Sequence, residues 1–196
     1  YDIMPSLVGS EMCIRDSFYT CFYHALIQPN QISDVDGMYR NAADSIVKAG
    51  TGTFYSTFSL WDTYRAAHPF YTLVIPERVD GFVNSLIEQG EVQGFLPIWG
   101  LWGKENFCMI GNHGVSVIAE AYRKGFRGFD AERAFNIIKK TQTVSHPLKS
   151  DWEVYTKYGY FPTDLIKAES VSSTLESVYD DYLSLIHISE PTRLGM

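Results

Sequence analysis

The sequence predicts a mostly α-helical protein with one extended excursion near residues 44–60. The first observation is a recurring stripe of apolar residues at i, i+3, i+4 and i+7, the spacing of one face of an amphipathic helix. The second is a set of helix start and stop residues at the ends of these stripes. The third is that residues 44–60, DSIVKAGTGTFYSTFSL, place two glycines between β-branched and aromatic runs, which indicates a hairpin or an extended segment.

Five stripes predict the main helices in chain order. Pro76 and Glu77 open the second helix, Asp130 precedes the fourth, and Ser173 with Glu176 has the spacing of a capping box for the last. The stripes are Phe18, Cys21, Phe22 and Ala25; Val79, Phe82, Val83 and Leu86; Val115, Ile118, Ala119 and Tyr122; Ala131, Ala134, Phe135 and Ile138; and Leu175, Val178, Tyr179 and Tyr182.

Two shorter features complete the prediction. A helix around Trp152–Lys157 is expected to end at Gly159, and Pro69 is expected to kink or divide the segment after Asp62. Helices of this kind pack into bundles, solenoids or closed α/α barrels, and periodicity does not choose between these architectures.

The two ends of the chain can be encoded by the two strands of one DNA element. Residues 9–17, GSEMCIRDS, and residues 183–191, LSLIHISEP, have no similarity as peptides. The DNA CTGTCTCTTATACACATCTCCGAGCC encodes LSLIHISEP, and its reverse complement encodes GSEMCIRDS, once each final codon is completed. This element resembles the transposon end used in sequencing-library adapters. We therefore interpret residues 1–17 and 183–196 as adapter-derived and residues 18–182 as the native part, a fragment of a longer protein.

Composition excludes several classes of function. The net charge of −7 over 196 residues gives no positive field for nucleic acid or an anionic membrane. No apolar run approaches the ~20 residues that cross a bilayer. Without Cys13, which lies in the adapter-derived part, Cys21 and Cys108 are too few for a disulfide framework or a zinc site.

The stretch FSLWDTYRAAHP, residues 58–69, sets an indole beside a carboxylate. One interpretation makes Asp62 the N-cap of the following helix and buries Trp61 in the core. The other makes the pair part of a sugar pocket, in which Trp61 stacks on the apolar face of a pyranose and Asp62 accepts hydrogen bonds from sugar hydroxyls. The residues alone leave both interpretations open.

A second stretch, residues 96–114, is dense in glycine and tryptophan and contains Glu105, Asn112 and His113. Such loops commonly line pockets. The alternative is a long crossover packed against its own helices, with Asn112 or His113 near the next helix start. The sequence does not choose between the two.

Several stretches together resemble the catalytic domain of glycoside hydrolase family 92, the exo-acting α-mannosidases that trim N-glycans and yeast mannan. In order they are FYHALIQPN, GMYRN, FSLWDTYRAAHP, FLPIWG, CMIGNHGVSVIAEAYRKG, GFD, YGYFP and VSSTLESVYDDY. The resemblance implies a partial (α/α)6 barrel, about its first half, preceded in the parent chain by an N-terminal β-sandwich domain. Half of a barrel would leave the edges of its helix layer unburied.

The resemblance also implies a chemistry. Family members are calcium-dependent and invert the anomeric centre, with an acid and a base about 6.5–9.5 Å apart to admit a water molecule. The family's WD pair falls on Trp61 and Asp62, which would bind terminal mannose, and Glu105 is a further candidate for substrate binding. The general acid, the base and the Ca²⁺ ligands are expected downstream of residue 182. The fragment would therefore be inactive, and the parent protein would be periplasmic, cell-surface or secreted.

Two other classes of function remain open from the sequence. A non-catalytic carbohydrate-binding helical module would also explain Trp61, Asp62 and the aromatic loops. A helical scaffold without a ligand would use the same aromatics as core.

Overall fold

The structure is a computed structural model that describes residues 12–185. In this range it has eight α-helices and seven short strands, so the mostly helical prediction is confirmed. The helices are α1 Cys13–Ala25, α2 Leu60–Thr63, α3 Ala67–Val74, α4 Pro76–Gln93, α5 Gly114–Arg123, α6 Ala131–Thr143, α7 Trp152–Tyr158 and α8 Ser170–Ser184. The strands are β1 Asn30–Gln31, β2 Met38–Arg40, β3 Ile46–Lys48, β4 Tyr55–Ser56, β5 Phe58–Ser59, β6 Trp99–Leu101 and β7 Lys104–Glu105.

The main core lies where α3, α4, α5 and α6 pack on one another. The predicted stripes of α4, α5 and α6 face this core: Val83, Leu86 and Ile138 have no exposed surface, and Ile118 has 1 %. Burying a side chain of this size stabilises the folded state by about 1.5–3 kcal/mol. These three helices therefore form as amphipathic patterning predicts.

Local signals set the ends of the central helices. Pro76 occupies the start of α4, and Gly94 ends it in the left-handed conformation. The Asp130 side chain accepts hydrogen bonds from the backbone amides of Glu132 and Arg133, which confirms it as the N-cap of α6. The short helix α7 ends at Gly159, as predicted.

The two terminal helices behave differently. α1 has no buried residue, and Phe18 at the start of its stripe is 59 % exposed. In α8 the predicted stripe is exposed, with Leu175 at 67 % and Tyr182 at 55 %, whereas Ser177 and Asp180 are buried. The helices are where the stripes predict, but the buried face of α8 is the polar one.

The excursion at 44–60 is extended, which is one of the two predicted alternatives, and no two strands within it pair with each other. Its strands pair with strands outside the segment: β3 with β2, β4 with β1, and β5 with β6, which also pairs with β7. Each short strand satisfies its backbone groups through a different neighbour. The pairing of β5 with β6 brings residues 58–59 to the loop at 96–114.

Two start signals need correction. The segment after Asp62 does divide, but it does so between α2 and α3, and Pro69 lies in the first turn of α3, where its missing N–H costs nothing. Ser173 and Glu176 do not form a capping box, because α8 begins at Ser170 and both residues lie inside it. No helix within residues 12–185 is long and apolar enough to cross a membrane.

The predicted adapter-derived parts are only partly described, since residues 1–11 and 186–196 lie outside the described range. α1 begins at Cys13 and α8 ends at Ser184, so each helix continues across a predicted junction, at 17 and at 182 respectively. The assignment of the ends to adapter DNA stays a prediction.

Candidate functional site

Trp61 and Asp62 lie in α2, a single helical turn that directly follows β5. The Leu60 amide donates to the Ile98 carbonyl over 3.1 Å, and Leu60 is completely buried, so this turn is fixed to the neighbouring loop. Trp61 is half-buried and Asp62 is exposed. The turn therefore presents the carboxylate to solvent and holds the indole partly inside the protein.

Asp62 is not a helix N-cap, so that interpretation is wrong. It lies inside α2, and the N-cap positions of α2 and α3 are Ser59 and Ala66. Neither helix start has a side-chain capping hydrogen bond. The carboxylate of Asp62 consequently makes no capping hydrogen bond.

The indole of Trp61 is covered by a cation. The guanidinium carbon of Arg65 lies 4.9 Å from the centre of the Trp61 ring and 4.9 Å from that of Tyr64. Such contacts are worth about 0.5–1 kcal/mol at exposed sites. The indole Nε1 of Trp61 is buried and has no hydrogen-bond partner, and a buried donor of this kind ordinarily finds one.

Glu105 holds its own loop. Its Oε2 accepts hydrogen bonds from the backbone amides of Ile98 and Trp99, and its Oε1 accepts from those of Asn106 and Phe107, at 2.9 and 2.8 Å. Multiple amide donors to one carboxylate make a strong local clamp. The structure thus uses Glu105 to shape the loop at 96–114, and its predicted contact with substrate stays a prediction.

His113 lies at the N-cap of α5 with no exposed surface. Its ring stacks on Tyr64, with 4.1 Å between centroids and 10° between planes. Gly111 makes room for it: the glycine has φ +83°, and a Cβ there would stand 2.6 Å from His113 Nε2. The GNHG segment therefore needs glycine for both its backbone conformation and this close approach.

Two carboxylates of α8 face the His113 ring. Nε2 is 3.4 Å from Glu176 Oε2, and Nδ1 is 3.4 Å from Asp180 Oδ1. Asp180 is completely buried, and its Oδ2 accepts a 2.6 Å hydrogen bond from the Asn112 amide. A buried carboxylate is tolerated only with partners of this kind.

Glu176 joins this group to the tryptophan turn. Its Oε1 is 3.6 Å from Arg65 Nη2, and its side chain is 19 % exposed. Arg65, Asn112, His113, Glu176 and Asp180 are called the polar network below. It links α8 and the start of α5 to the cation that covers Trp61.

The polar network is not fully satisfied. Among the described residues, eight buried side-chain nitrogen or oxygen atoms have no hydrogen-bond partner, and six of them belong to Trp61, Asn112, His113 and Asp180. His113 Nδ1 and Nε2 and Asp180 Oδ1 lie in 3.4 Å ion-pair contacts, so the desolvation cost of about 1–3 kcal/mol per atom falls mainly on the Trp61 indole nitrogen and the Asn112 side-chain amide. This concentration of cost in one place is typical of a functional site rather than a stabilising core.

A cavity of about 680 Å³ opens beside the polar network. Its lining includes Tyr64 and Arg65 and, from α5 with its C-cap and from α8, the polar residues Ser116, Glu120, Arg123, Lys124 and Tyr179. Its size fits a sugar ring. Trp61 and Asp62 are not among the residues that line it.

A second cavity, of about 640 Å³, is lined by the loop at 107–110, by Lys149 and by the start of α8. The Lys149 ammonium donates to the Leu96 carbonyl and lies 4.7 Å from the centre of the Phe95 ring. The side chain as a whole is half-buried, but its ammonium is enclosed by protein, and this desolvation lowers the pKa of Lys149 to about 7. Sequence analysis did not identify this lysine.

The comparisons with known proteins decide the family. The family model described as the glycosyl hydrolase family 92 catalytic domain matches residues 9–187. The chain belongs to glycosyl hydrolase family 92. A search of the curated proteins finds no match.

Solved structures of this family have the same fold. The family GH92 α-mannosidase BT3965 from Bacteroides thetaiotaomicron is 43 % identical, with a TM-score of 0.82 over 87 % of this chain and 23 % of that one. Its complex with mannoimidazole gives 44 % identity and a TM-score of 0.80, over 85 % of this chain and 22 % of that one. The family GH92 inverting mannosidase BT2199 from the same species is 26 % identical, with a TM-score of 0.68 over 85 % of this chain and 26 % of that one.

The chain therefore spans about a quarter of the length of the family 92 structures that it matches. Together with the helical content, this likeness confirms the prediction of a partial helical barrel. Three stretches on which the resemblance depends, FSLWDTYRAAHP, GNHG and VSSTLESVYDDY, meet in space at the polar network.

Some residues of the polar network have roles other than those predicted from the sequence. The sequence indicates His113 near a helix start, which is confirmed, and Glu176 as a cap, which is wrong. Asp180 is not among the predicted residues. The available signal was an aspartate four residues after Glu176, on the same helical face and opposite the apolar stripe.

Proposed function

We propose that the full-length protein is a calcium-dependent, inverting exo-α-mannosidase that releases terminal mannose from N-glycans or mannans. The observation that carries this proposal is membership of family 92 together with 43 % identity to a family GH92 α-mannosidase. A solved structure of that relative contains mannoimidazole, a mannose-like inhibitor. Its substrates would accordingly be mannose-containing glycans.

In this proposal Trp61 and Asp62 form part of the wall of the mannose pocket. The flat indole suits the C–H-rich face of a pyranose, and the exposed carboxylate can accept hydrogen bonds from two sugar hydroxyls. Arg65, whose guanidinium carbon lies 4.9 Å from the ring centre, restricts the orientation of the indole. Glu105 would contribute by holding the neighbouring loop at the position that a substrate meets.

The chemical step belongs to parts of the protein beyond residue 182. The general acid, the base and the Ca²⁺ ligands are assigned there, and residues 12–185 contain no group of three or more His, Cys, Asp or Glu side chains that could hold a metal ion. The residues described do not fit a calcium site, so no step is assigned to the ion here. This chain alone is accordingly proposed to bind at most weakly and to be inactive.

The same proposal includes a neighbouring domain and a cellular location for the full-length protein. A β-sandwich domain would precede this part of the chain and complete the pocket. The protein would be periplasmic, cell-surface or secreted, where glycans are encountered.

The experiment compares the full-length protein with the 196-residue chain on 4-nitrophenyl α-mannoside, with calcium and with a chelator. We expect turnover by the full-length protein that the chelator abolishes, and none by the 196-residue chain. Turnover by the short chain would refute the placement of the catalytic groups beyond residue 182. Absence of turnover by the folded full-length protein on this and on natural mannans would favour the non-catalytic carbohydrate-binding module.

Asp62→Ala in the full-length protein tests the pocket assignment. Loss of a charged acceptor to the sugar should lower kcat/KM by at least about a hundred-fold, on the scale of charged hydrogen bonds, without changing the melting temperature. Asp164→Ala, in an exposed turn, is the matched control and should leave kcat/KM unchanged. Unchanged kcat/KM in the Asp62 variant would remove Asp62 from the pocket.

A further inference from the structure

We propose that His113 and Asp180 are positioning residues that act through Glu176 and Arg65 to hold the indole of Trp61 in place. This inference rests on the proposed function, because it assumes that Trp61 contacts the sugar. It adds two residues far from Trp61 and Asp62 in sequence, one at the N-cap of α5 and one in α8.

Arg65 is only weakly held by its own ion pair. Its side chain is 51 % exposed, and its pair with Glu176 spans 3.6 Å. Exposed ion pairs contribute little on their own, about 0–1 kcal/mol, because holding two long side chains in one geometry costs entropy. The ion pair can therefore keep Arg65 over Trp61 only if other contacts fix the position of the Glu176 carboxylate.

The carboxylate of Glu176 is in contact with His113. Its other carboxylate oxygen, Oε2, faces Nε2 of His113, which is completely buried and stacked on Tyr64. The opposite edge of the same ring faces Asp180. An imidazole has polar atoms on two edges, so a single ring can face two carboxylates at once.

The His113 ring is itself held in place by its neighbours. Asp180 has no exposed surface and is held by the Asn112 amide at 2.6 Å, immediately before α5. The Tyr64 ring stacks on His113 and also lies 4.9 Å from the Arg65 guanidinium carbon, so it contacts both ends of this set of contacts. Every member of the polar network is thus tied to the turn that carries Trp61.

The polar network lowers the stability of the fold compared with an apolar core. Buried polar atoms without partners destabilise the fold, and a buried charged pair replaced by hydrocarbon of similar volume is often neutral or stabilising. A core selected for stability alone would place apolar side chains around residue 113, as the fold does around Leu86. The arrangement is better explained by the orientation that it gives to Arg65 and Trp61.

The experiment uses His113→Phe in the full-length protein, which keeps a ring on Tyr64 and removes both nitrogens. The matched control is His68→Phe, the same change at a buried imidazole surrounded by the rings of Phe58, Tyr71 and Phe82. For 4-nitrophenyl α-mannoside we expect KM to rise about ten-fold in the His113 variant, with a smaller effect on kcat. We expect KM to stay within about two-fold in the control.

A double-substitution cycle separates positioning from general damage. If His113 acts through Trp61, adding His113→Phe to Trp61→Phe should raise KM no further, because the indole that was positioned is already absent. If the two increases in KM multiply, the proposal is overturned. Should His113→Phe fail to fold, Glu176→Gln, at a partly exposed position, interrupts the same link and replaces it in the cycle.

Fluorescence tests the link without any activity. Residues 1–196 include four tryptophans, so the contribution of Trp61 to the emission is measured as the difference from the Trp61→Phe variant. His113→Phe should change the emission when Trp61 is present and leave it unchanged in the Trp61→Phe background. If emission does not change in either background, the inference fails, whatever the sugar assignment.

The two proposals fail in different ways. If Trp61→Phe and Asp62→Ala leave KM and kcat unchanged, the sugar pocket is wrong, and the fluorescence result alone decides whether the polar network holds Trp61. If those variants lose activity but His113→Phe does not, the pocket stands and the positioning role is overturned.

Discussion

His68 and His113 are both buried, with 5 % and 0 % of their surface exposed, but their surroundings are opposite. Around His68 lie the rings of Phe58, Tyr71 and Phe82, and desolvation lowers the pKa of His68 to about 4. Around His113 lie two carboxylates, one of them completely buried. Equal burial therefore serves two purposes: the His68 region stabilises the fold, and the His113 region fixes charged groups at a cost.

The largest effect is expected from breaking the polar network at its buried end. Asp180→Ala leaves His113 and the Asn112 amide without their partner, which should lower the free energy of unfolding by about 3–5 kcal/mol. Denaturant midpoints of the full-length protein measure this loss. Replacing both residues, as His113→Phe with Asp180→Leu, should recover part of this loss, because the imidazole is then no longer left without its carboxylate and only the backbone amide of Asn112 stays unpaired. If Asp180→Ala were as stable as the double variant, the polar surroundings of His113 would not carry the cost that distinguishes them from those of His68.

The next effect concerns the pH dependence of the His68 region. The folded-state pKa of about 4 lies below the ordinary value of 6.5, so below pH 6.5 the unfolded chain binds a proton that the folded protein rejects. This contribution to stability is present above pH 6.5 and is lost progressively as the pH falls towards 4, by about 3 kcal/mol. His68→Phe should remove that part of the pH dependence. If the variant and the parent protein lose stability in parallel, the assignment to His68 is wrong.

A smaller effect should come from crowding the His113 ring. Gly111→Ala adds a Cβ 2.6 Å from Nε2 at a residue with φ +83°, whereas Gly125→Ala has a similar φ of +91° and open space around it. Both variants lose stability through backbone strain, and the Gly111 variant should lose about 1–3 kcal/mol more through the forced shift of the ring. The difference should vanish in a His113→Ala background. Equal losses in the two glycine variants would mean that the ring moves without cost.

Much of the fold follows from local patterns. The stripes of α4, α5 and α6 are correct because a period of 3.6 residues both forms a helix and marks its apolar face. Asp130 and Gly159 mark helix ends for equally local reasons, a side-chain cap and a left-handed residue.

The face that α8 buries does not follow from local patterns, and neither does the candidate site. Leu175 is exposed and Asp180 is buried because the neighbours of α8 are Asn112 and His113, about seventy residues away in sequence. Glu176 has capping-box spacing with Ser173, but its carboxylate is directed to Arg65 and His113 instead. Contacts at this separation are set by tertiary packing. The residues alone offered Trp61 and Asp62 as a sugar-binding pair or as core and cap, and the resemblance to family 92 favoured the sugar pocket.

The most direct test is a crystal structure of the full-length protein with mannoimidazole. We expect the inhibitor ring to lie against the Trp61 indole with a hydroxyl hydrogen-bonded to the Asp62 carboxylate, and Arg65 to remain between Trp61 and Glu176. A sugar ring bound elsewhere, with Trp61 and Asp62 out of contact with it, would contradict the account.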